Sequence, residues 1–184
     1  MMAKTAIFLA NGFEEIEALT VVDLLRRAQI EISMVSISDN YEVTGSHNIP
    51  VKADKLFNEV DFDEVDMIIL PGGMPGTTNL FNCEPLKEKI TEFNNSGKLL
   101  SAICAAPTVY GKMGLLNGKK ACCYPGCEKD LLGAETTTDE VTVDGNFTTS
   151  RGMGTAIPFG LAIIERFQGK QAADEMAAKI VYKA

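Results

Sequence analysis

The chain has 184 residues, 46% of them hydrophobic, and a formal net charge of −8. That length suits one compact domain, and the apolar content excludes a disordered chain. The acidic balance excludes a phosphate-binding groove, so no nucleic-acid partner is expected and small molecules are the natural ligands.

The elements follow in chain order. "KTAIFLA" (4–10) reads as a buried strand. The apolar run there is too short for a signal-peptide core, and the glutamates of "NGFEE" close it. No stretch reaches the roughly 18 apolar residues of a membrane span, so a cytoplasmic protein without a membrane partner is expected. "EEIEALTVVDLLRRA" (14–28) carries apolar residues at helical spacing. "IEISMVSIS" (30–38) is the next strand, and "NYEVTGSHNIPVKAD" (40–54) alternates around turn residues like a hairpin.

"VDMIILPGG" (65–73) is a near-continuous apolar strand ended by Pro-Gly-Gly, the pattern of a parallel strand buried on both faces. "CEPLKEKITEFNNSG" (83–97) predicts a helix with a glycine stop. "KLLSAI" (98–103) predicts a strand, and "CAAPTVYGKMG" (104–114) the start of a helix. "ETTTDEVTVDGNFTTS" (135–150) alternates around Asp-Gly, a hairpin signal. "GTAIPFGLAIIERFQG" (154–169) and "KQAADEMAAKIVYKA" (170–184) are helical in pattern. Strands alternating with helices predict a single doubly wound, mostly parallel α/β sandwich over 1–184.

Ligands of such sheets bind beyond the carboxyl ends of the strands, where "ANGFEEIE", "LPGGMPG" and "AICAAP" fall. Cys104 sits between a strand and a helix with small neighbours Ala102, Ala105 and Ala106, as at a nucleophile elbow. A helix N-terminus would favour its thiolate. The bland alternative is an inert thiol packed among alanines. Gly72 and Gly73 present amides that, with the amide of Ala105, can form an oxyanion hole. Glu14, Glu15 and Glu17 open a helix, where carboxylates suit the dipole. Glu15 and Glu17 lie two positions apart, so at most one faces the cleft. A carboxylic acid beside a thiol can donate a hydrogen bond to it or move protons.

The five cysteines are Cys83, Cys104, Cys122, Cys123 and Cys127, an odd number without a secretory signal, so reduced thiols are expected. "CCYPGC" holds no CxxC pair and no nearby histidine, and no metal site is expected.

"NGFEEIEALTVVDLLRRA", "ILPGGMPG", "SAICAAPT" and "TSRGMGTA", in this order and spacing, resemble the ThiJ/PfpI superfamily, in the branch of the Parkinson-disease protein DJ-one and its bacterial relatives. The resemblance runs over about residues 4–183. It implies a flavodoxin-like, glutamine-amidotransferase-like sandwich that forms a homodimer. It implies that Cys104 is the reactive, oxidisable thiol, that Glu17 hydrogen-bonds it, and that the amides of Gly73 and Ala105 are the oxyanion donors. It implies no cofactor. The activities of the family are conversion of methylglyoxal to lactate, deglycation of early adducts, redox sensing and chaperone action.

The sequence departs from the family at one point. Where many members carry a histidine before a proline, Tyr124 stands before Pro125. A phenol is a poor base at neutral pH but still donates a hydrogen bond, so a Cys-His hydrolase is disfavoured. His47, the single histidine, lies in the hairpin. It reads as an exposed loop residue, or else as a residue facing a neighbouring subunit's pocket together with Arg26 or Arg27. Thr155 is a candidate cap for the helix after "TSRGMGT". The resemblance brings that loop near the thiol, where Arg151 would neutralise a carboxylate or an anion, or form a structural ion pair. Gly72, Tyr124, Pro125 and Arg151 are the expected pocket residues.

Overall fold

The computed structural model describes residues 3–182. Its strands are β1 (Lys4–Leu9), β2 (Glu31–Ser36), β3 (Glu42–Thr44), β4 (Pro50–Lys52), β5 (Lys55–Leu56), β6 (Met67–Leu70), β7 (Leu99–Ile103), β8 (Lys120–Ala121), β9 (Glu135–Thr136), β10 (Val141–Asp144) and β11 (Phe147–Ser150). Its α-helices are α1 (Glu15–Arg27), α2 (Gly76–Phe81), α3 (Glu84–Ser96), α4 (Pro107–Lys112), α5 (Ala156–Gln168) and α6 (Lys170–Lys179).

Seven strands form one sheet in the order β10-β11-β7-β6-β1-β2-β5. Every neighbouring pair is parallel except β10–β11, whose two-residue turn is Gly145–Asn146. Gly145 takes a left-handed φ of 59° there. The central strands read as unbroken apolar runs because both faces are covered. All four residues of β6 are buried, as are five of the six in β1.

Successive side chains feed two cores. Ala6, Phe8, Ile68 and Leu70 pack with residues of α2, α3 and α4. Ile7, Leu9, Met67 and Ile69 pack with residues of α1, α5 and α6. Each fully buried aliphatic contributes about 1.5–3 kcal/mol. This is the flavodoxin-like three-layer arrangement expected from the sequence. The excursion at 40–54 is the antiparallel hairpin β3–β4.

Three local details differ from the sequence reading. The segment 76–81 forms the short helix α2, whose six residues are too few to show a helical period. The helix after Cys104 begins only at Pro107, with Ala106 as its cap. Thr155 occupies the cap position of α5, but its hydroxyl turns back to accept from the amides of Arg151 and Gly152, at 3.2 and 3.1 Å. The last two residues of the helix expected over 170–184 lie outside the described residues. Gly97 ends α3 as the sequence predicts, at φ +73°.

Candidate active site

The strand order reverses between β1 and β6, and ligands of doubly wound sheets bind at such a switch point. The segments that follow β1, β6 and β7 meet there and carry Glu17, at the start of α1, Gly72–Gly73 and Cys104.

Cys104 has a φ of +66°. For a residue with a side chain this is the left-handed region, at a cost of about 1–3 kcal/mol. Backbone hydrogen bonds on both sides hold it. The Cys104 amide donates to Ser150 O at 3.0 Å, and the Tyr124 amide donates to Cys104 O at 2.7 Å. The thiol is lifted off the end of β7 and stays partly exposed. This is an elbow, not a helix start. The six-residue α4 begins three positions later, and a dipole effect fades within one turn.

Glu17 comes from the first turn of α1 and is 1% exposed. Its carboxyl is hydrogen-bonded to the Cys104 thiol, and its Oε2 accepts from the Gly72 amide at 2.9 Å. The Glu14 amide returns a bond to Gly72 O at 2.8 Å, so the Gly-Gly loop and the helix start hold each other. Glu14 also caps the helix, its Oε2 accepting from the Glu17 amide at 2.7 Å. Gly72 must lack a side chain. A Cβ there would lie 2.5 Å from Cys104 Cβ and 2.6 Å from Glu17 Oε2. Gly73, at φ +92°, and Ala105 direct their amides to the Cys104 sulfur.

The electrostatics follow from burial. Burial pushes the Glu17 carboxyl up to about 7, against the hydrogen bond from Cys104. Burial and the negative charge of Glu17 push the Cys104 thiol up to about 12. The sequence expectation of a thiol activated by a helix end is therefore replaced by a coupled pair. The pair gives up its first proton only near 7 and holds the second, mostly on the sulfur, well above neutral pH. In the minor form with that proton on Glu17, the sulfur is a thiolate facing two amides and an acid O–H. That form never requires two buried charges side by side.

Tyr124 is 52% exposed. Its ring lies 3.4 Å from the point a Cβ of Gly152 would occupy, and Glu17 Oε1 lies 3.9 Å from the same point. The phenol ring and the carboxyl thus both come close to Gly152. Pro125 is exposed in the same loop. Arg151 follows the carbonyl that holds the Cys104 amide. Its guanidinium donates to Thr138 O at 3.4 Å, a backbone partner where the sequence suggested a carboxylate or an anion.

His47 and Arg27 are not brought together within the chain. Arg27 pairs with Asp23 at 2.6 Å and Arg26 with Asp54 at 2.7 Å. His47 is exposed but is bound to Glu15, which the sequence reading placed only among the carboxylates that open the helix. Glu15 is 2% exposed and accepts from the His47 amide at 2.7 Å. Its Oε2 lies 2.9 Å from His47 Nδ1 and 3.3 Å from Ser46 Oγ. Glu15 thus faces the tip of the β3–β4 hairpin while Glu17 faces Cys104, the divergence their spacing requires.

Burial pushes Glu15 up, but the hydrogen bonds from His47 outweigh it and hold the carboxyl at about 2. The same hydrogen bond raises His47. A raised histidine stabilises the fold fully below its unfolded value, and that contribution is lost as pH rises through the folded value. Stability is therefore expected to fall as pH rises beyond about 6.5. In His47→Gln that component of the slope should vanish, as denaturant midpoints across pH 6–9 would register. An identical slope in both proteins would contradict the pairing.

Among the described residues, Glu14, Glu15 and His47 have donor atoms within 4.8 Å of one another. These atoms are engaged by the helix cap and the hairpin latch. In "CCYPGC", the Cys122 and Cys123 thiols are buried and donate to the carbonyls of Thr149 and Tyr124, at 3.3 and 3.5 Å. Cys127 is half-buried.

A flavodoxin-like sheet with a left-handed cysteine at an elbow, a buried carboxyl on its sulfur and two amides aimed at it defines a class of cysteine-elbow α/β proteins. The chain belongs to the DJ-1/PfpI family, whose profile matches residues 3–166. It is 37% identical to Protein DJ-1 homolog B of Arabidopsis thaliana over 182 residues, 98% of this chain and 42% of that protein. It thus spans less than half the length of that plant relative. The structure of oxidized DJ-1 from Toxoplasma gondii is 36% identical and superposes with a TM-score of 0.94, covering 99% of this chain and 100% of that one. A Pyrococcus horikoshii protein named a deglycase is 32% identical over 150 residues, 80% of this chain and 89% of that protein. Among the described residues no helix is long and apolar enough to cross a membrane.

Proposed function

We propose that the protein is a cofactor-independent enzyme that converts 2-oxoaldehydes such as methylglyoxal to 2-hydroxy acids, with early glycation adducts as a second substrate. The observation that carries this reading is the Cys104–Glu17 pair, a thiol hydrogen-bonded to a buried carboxyl with two amides aimed at its sulfur. Cys104 attacks the aldehyde carbon as thiolate; the oxyanion that forms takes the hydrogen bonds of Gly73 and Ala105 and then the proton held on Glu17, which gives a hemithioacetal and leaves Glu17 as carboxylate. Glu17 as carboxylate removes the proton from that carbon and returns one to the neighbouring carbon through an enediol. The first carbon is oxidised and the second reduced, so no external electron acceptor enters. Water then cleaves the thioester, releasing the hydroxy acid and the thiol. The deglycase name of the archaeal relative supports the glycation arm. Lactate formation from methylglyoxal, compared in wild type and Cys104→Ser, tests the reading. An unchanged rate in the variant would refute it.

A second reading uses the same thiol as a redox sensor. Two amides and a carboxylic acid around one sulfur also suit a sulfinate, whose oxygens accept hydrogen bonds. Mild peroxide is expected to add two oxygens to Cys104 ahead of the other four cysteines, as intact-mass and peptide mass spectrometry would record. Oxidation spread evenly over the cysteines would count against it. Action as a homodimer, with the α1 and hairpin surface including Arg27 and His47 facing the partner, belongs to this proposal as well. So does a cytoplasmic location.

A further inference from the structure

We infer that Thr108 is a positioning residue: its hydroxyl, acting through Ala105, aims the Ala105 amide at the reacting atoms. The turnover arm of the inference rests on the oxoaldehyde reading, whereas the geometry stands without it. Ile103 O accepts from the Ala106 amide at 3.1 Å, so Ile103–Ala106 is a β-turn with Cys104 and Ala105 at its centre. The Ala105 N–H aimed at the Cys104 sulfur therefore belongs to the central peptide of the turn. Rotation of that peptide is what separates type I turns from type II. The turn's own hydrogen bond thus does not fix where this N–H points, and bonds from outside the turn must do so.

The oxygen of the same peptide is held by the Tyr124 amide at 2.7 Å. The other side of Ala105 is held by Thr108, twice. Ala105 O accepts from the Thr108 amide at 3.1 Å and from the Thr108 hydroxyl at 2.6 Å. The peptides on both sides of Ala105 are thereby pinned. A hydroxyl that served the helix would stand at its cap and accept from the first free amides. The cap of α4 is Ala106, whose methyl cannot, and Thr108 lies two positions inside. Its hydroxyl donates backwards, to the turn. Thr108 is 5% exposed, between the buried Pro107 and Val109. Valine has the same shape, so packing alone does not call for the hydroxyl. The amide that Thr108 aims acts twice, on the thiolate before attack and on the oxyanion after it.

Two measurements test the role, and only one depends on turnover. Thr108→Val removes the O–H, and Thr108→Ser returns it. In Thr108→Val, kcat for methylglyoxal should fall about 10-fold with KM nearly unchanged, less than the loss of a whole oxyanion donor costs. The second measurement is the level that Cys104 alkylation by iodoacetamide reaches above pH 7. That level should fall several-fold in Thr108→Val, because a mis-aimed amide favours the form with the proton on sulfur. The inflection should stay at about 7, since Glu17 is untouched. Thr108→Ser should recover most of both losses. A merely structural hydroxyl would lower the melting temperature and leave kcat and the alkylation level as in wild type. A wild-type value of either in Thr108→Val, or a loss that Thr108→Ser does not recover, would overturn the inference. Should Thr108→Val fail to fold, Thr108→Ala carries the same expectations. If wild type does not turn over methylglyoxal, the oxoaldehyde reading fails, and the alkylation level alone decides the role of Thr108.

Discussion

Cys104→Ser is expected to lower lactate formation from methylglyoxal by at least about 10³-fold, and Glu17→Gln by roughly 10²–10⁴-fold. The serine hydroxyl is far less acidic than the thiol, and the pair would no longer place a shared proton so as to leave a nucleophile. Glutamine keeps the shape of Glu17 and can still accept from the Gly72 amide, but it can neither hold nor return a proton. Both variants should lose kcat more than KM, because each group acts in the transition state. The pH profile separates the roles. In wild type, kcat/KM should rise as pH passes about 7, where the buried pair drops to one proton. In Glu17→Gln that limb should be missing. The double variant should be no worse than the poorer single one, since the groups work as a unit.

Glu17→Gln should also stabilise the protein at alkaline pH. An unfolded glutamate ionises near 4.5, whereas the folded one keeps its proton to about 7. The folded state therefore binds more protons between these values, and stability falls as pH rises through that window. Above 7 the cost is complete, on the order of 3 kcal/mol. Glutamine carries no such cost. At pH 8 the variant should melt about 5–10 °C higher than wild type, and below pH 4.5 the difference should disappear. Equal melting temperatures at both pH values would show that Glu17 is not held above its ordinary range. The site's reactivity thus sits on a destabilised carboxyl, as sites under selection for function often do.

The sheet was legible because its strands are fully covered. "MIIL" and "AIFLA" announce two-sided burial without reference to their neighbours. The convergence of the loops after β1, β6 and β7 was legible because ligands of such sheets bind beyond the carboxyl ends of the strands, but the choice of Glu17 over Glu15 came from the family resemblance. Other features depended on contacts distant in sequence. Glu15 reads as one more acidic residue at a helix start, and only the hairpin tip, 32 residues later, makes it a buried latch. The direction of the Cys104 shift could not be read from a strand–cysteine–helix pattern. It depends on how completely the carboxyl is buried and on where α4 begins. Arg151 and Thr155 were assigned their commonest roles, an ion pair and a cap. Arg151 instead donates to the Thr138 carbonyl in the segment before β10, and Thr155 accepts from amides of its own loop.

The central claim is that Cys104 and Glu17 share one proton. The most direct test is the pH dependence of Cys104 alkylation by iodoacetamide, followed by peptide mass spectrometry in wild type and Glu17→Gln. Wild type should show reactivity that rises through pH about 7 and then levels, with Glu17→Gln lacking that inflection. A single inflection at the ordinary thiol value near 8.5 in both proteins would contradict the account.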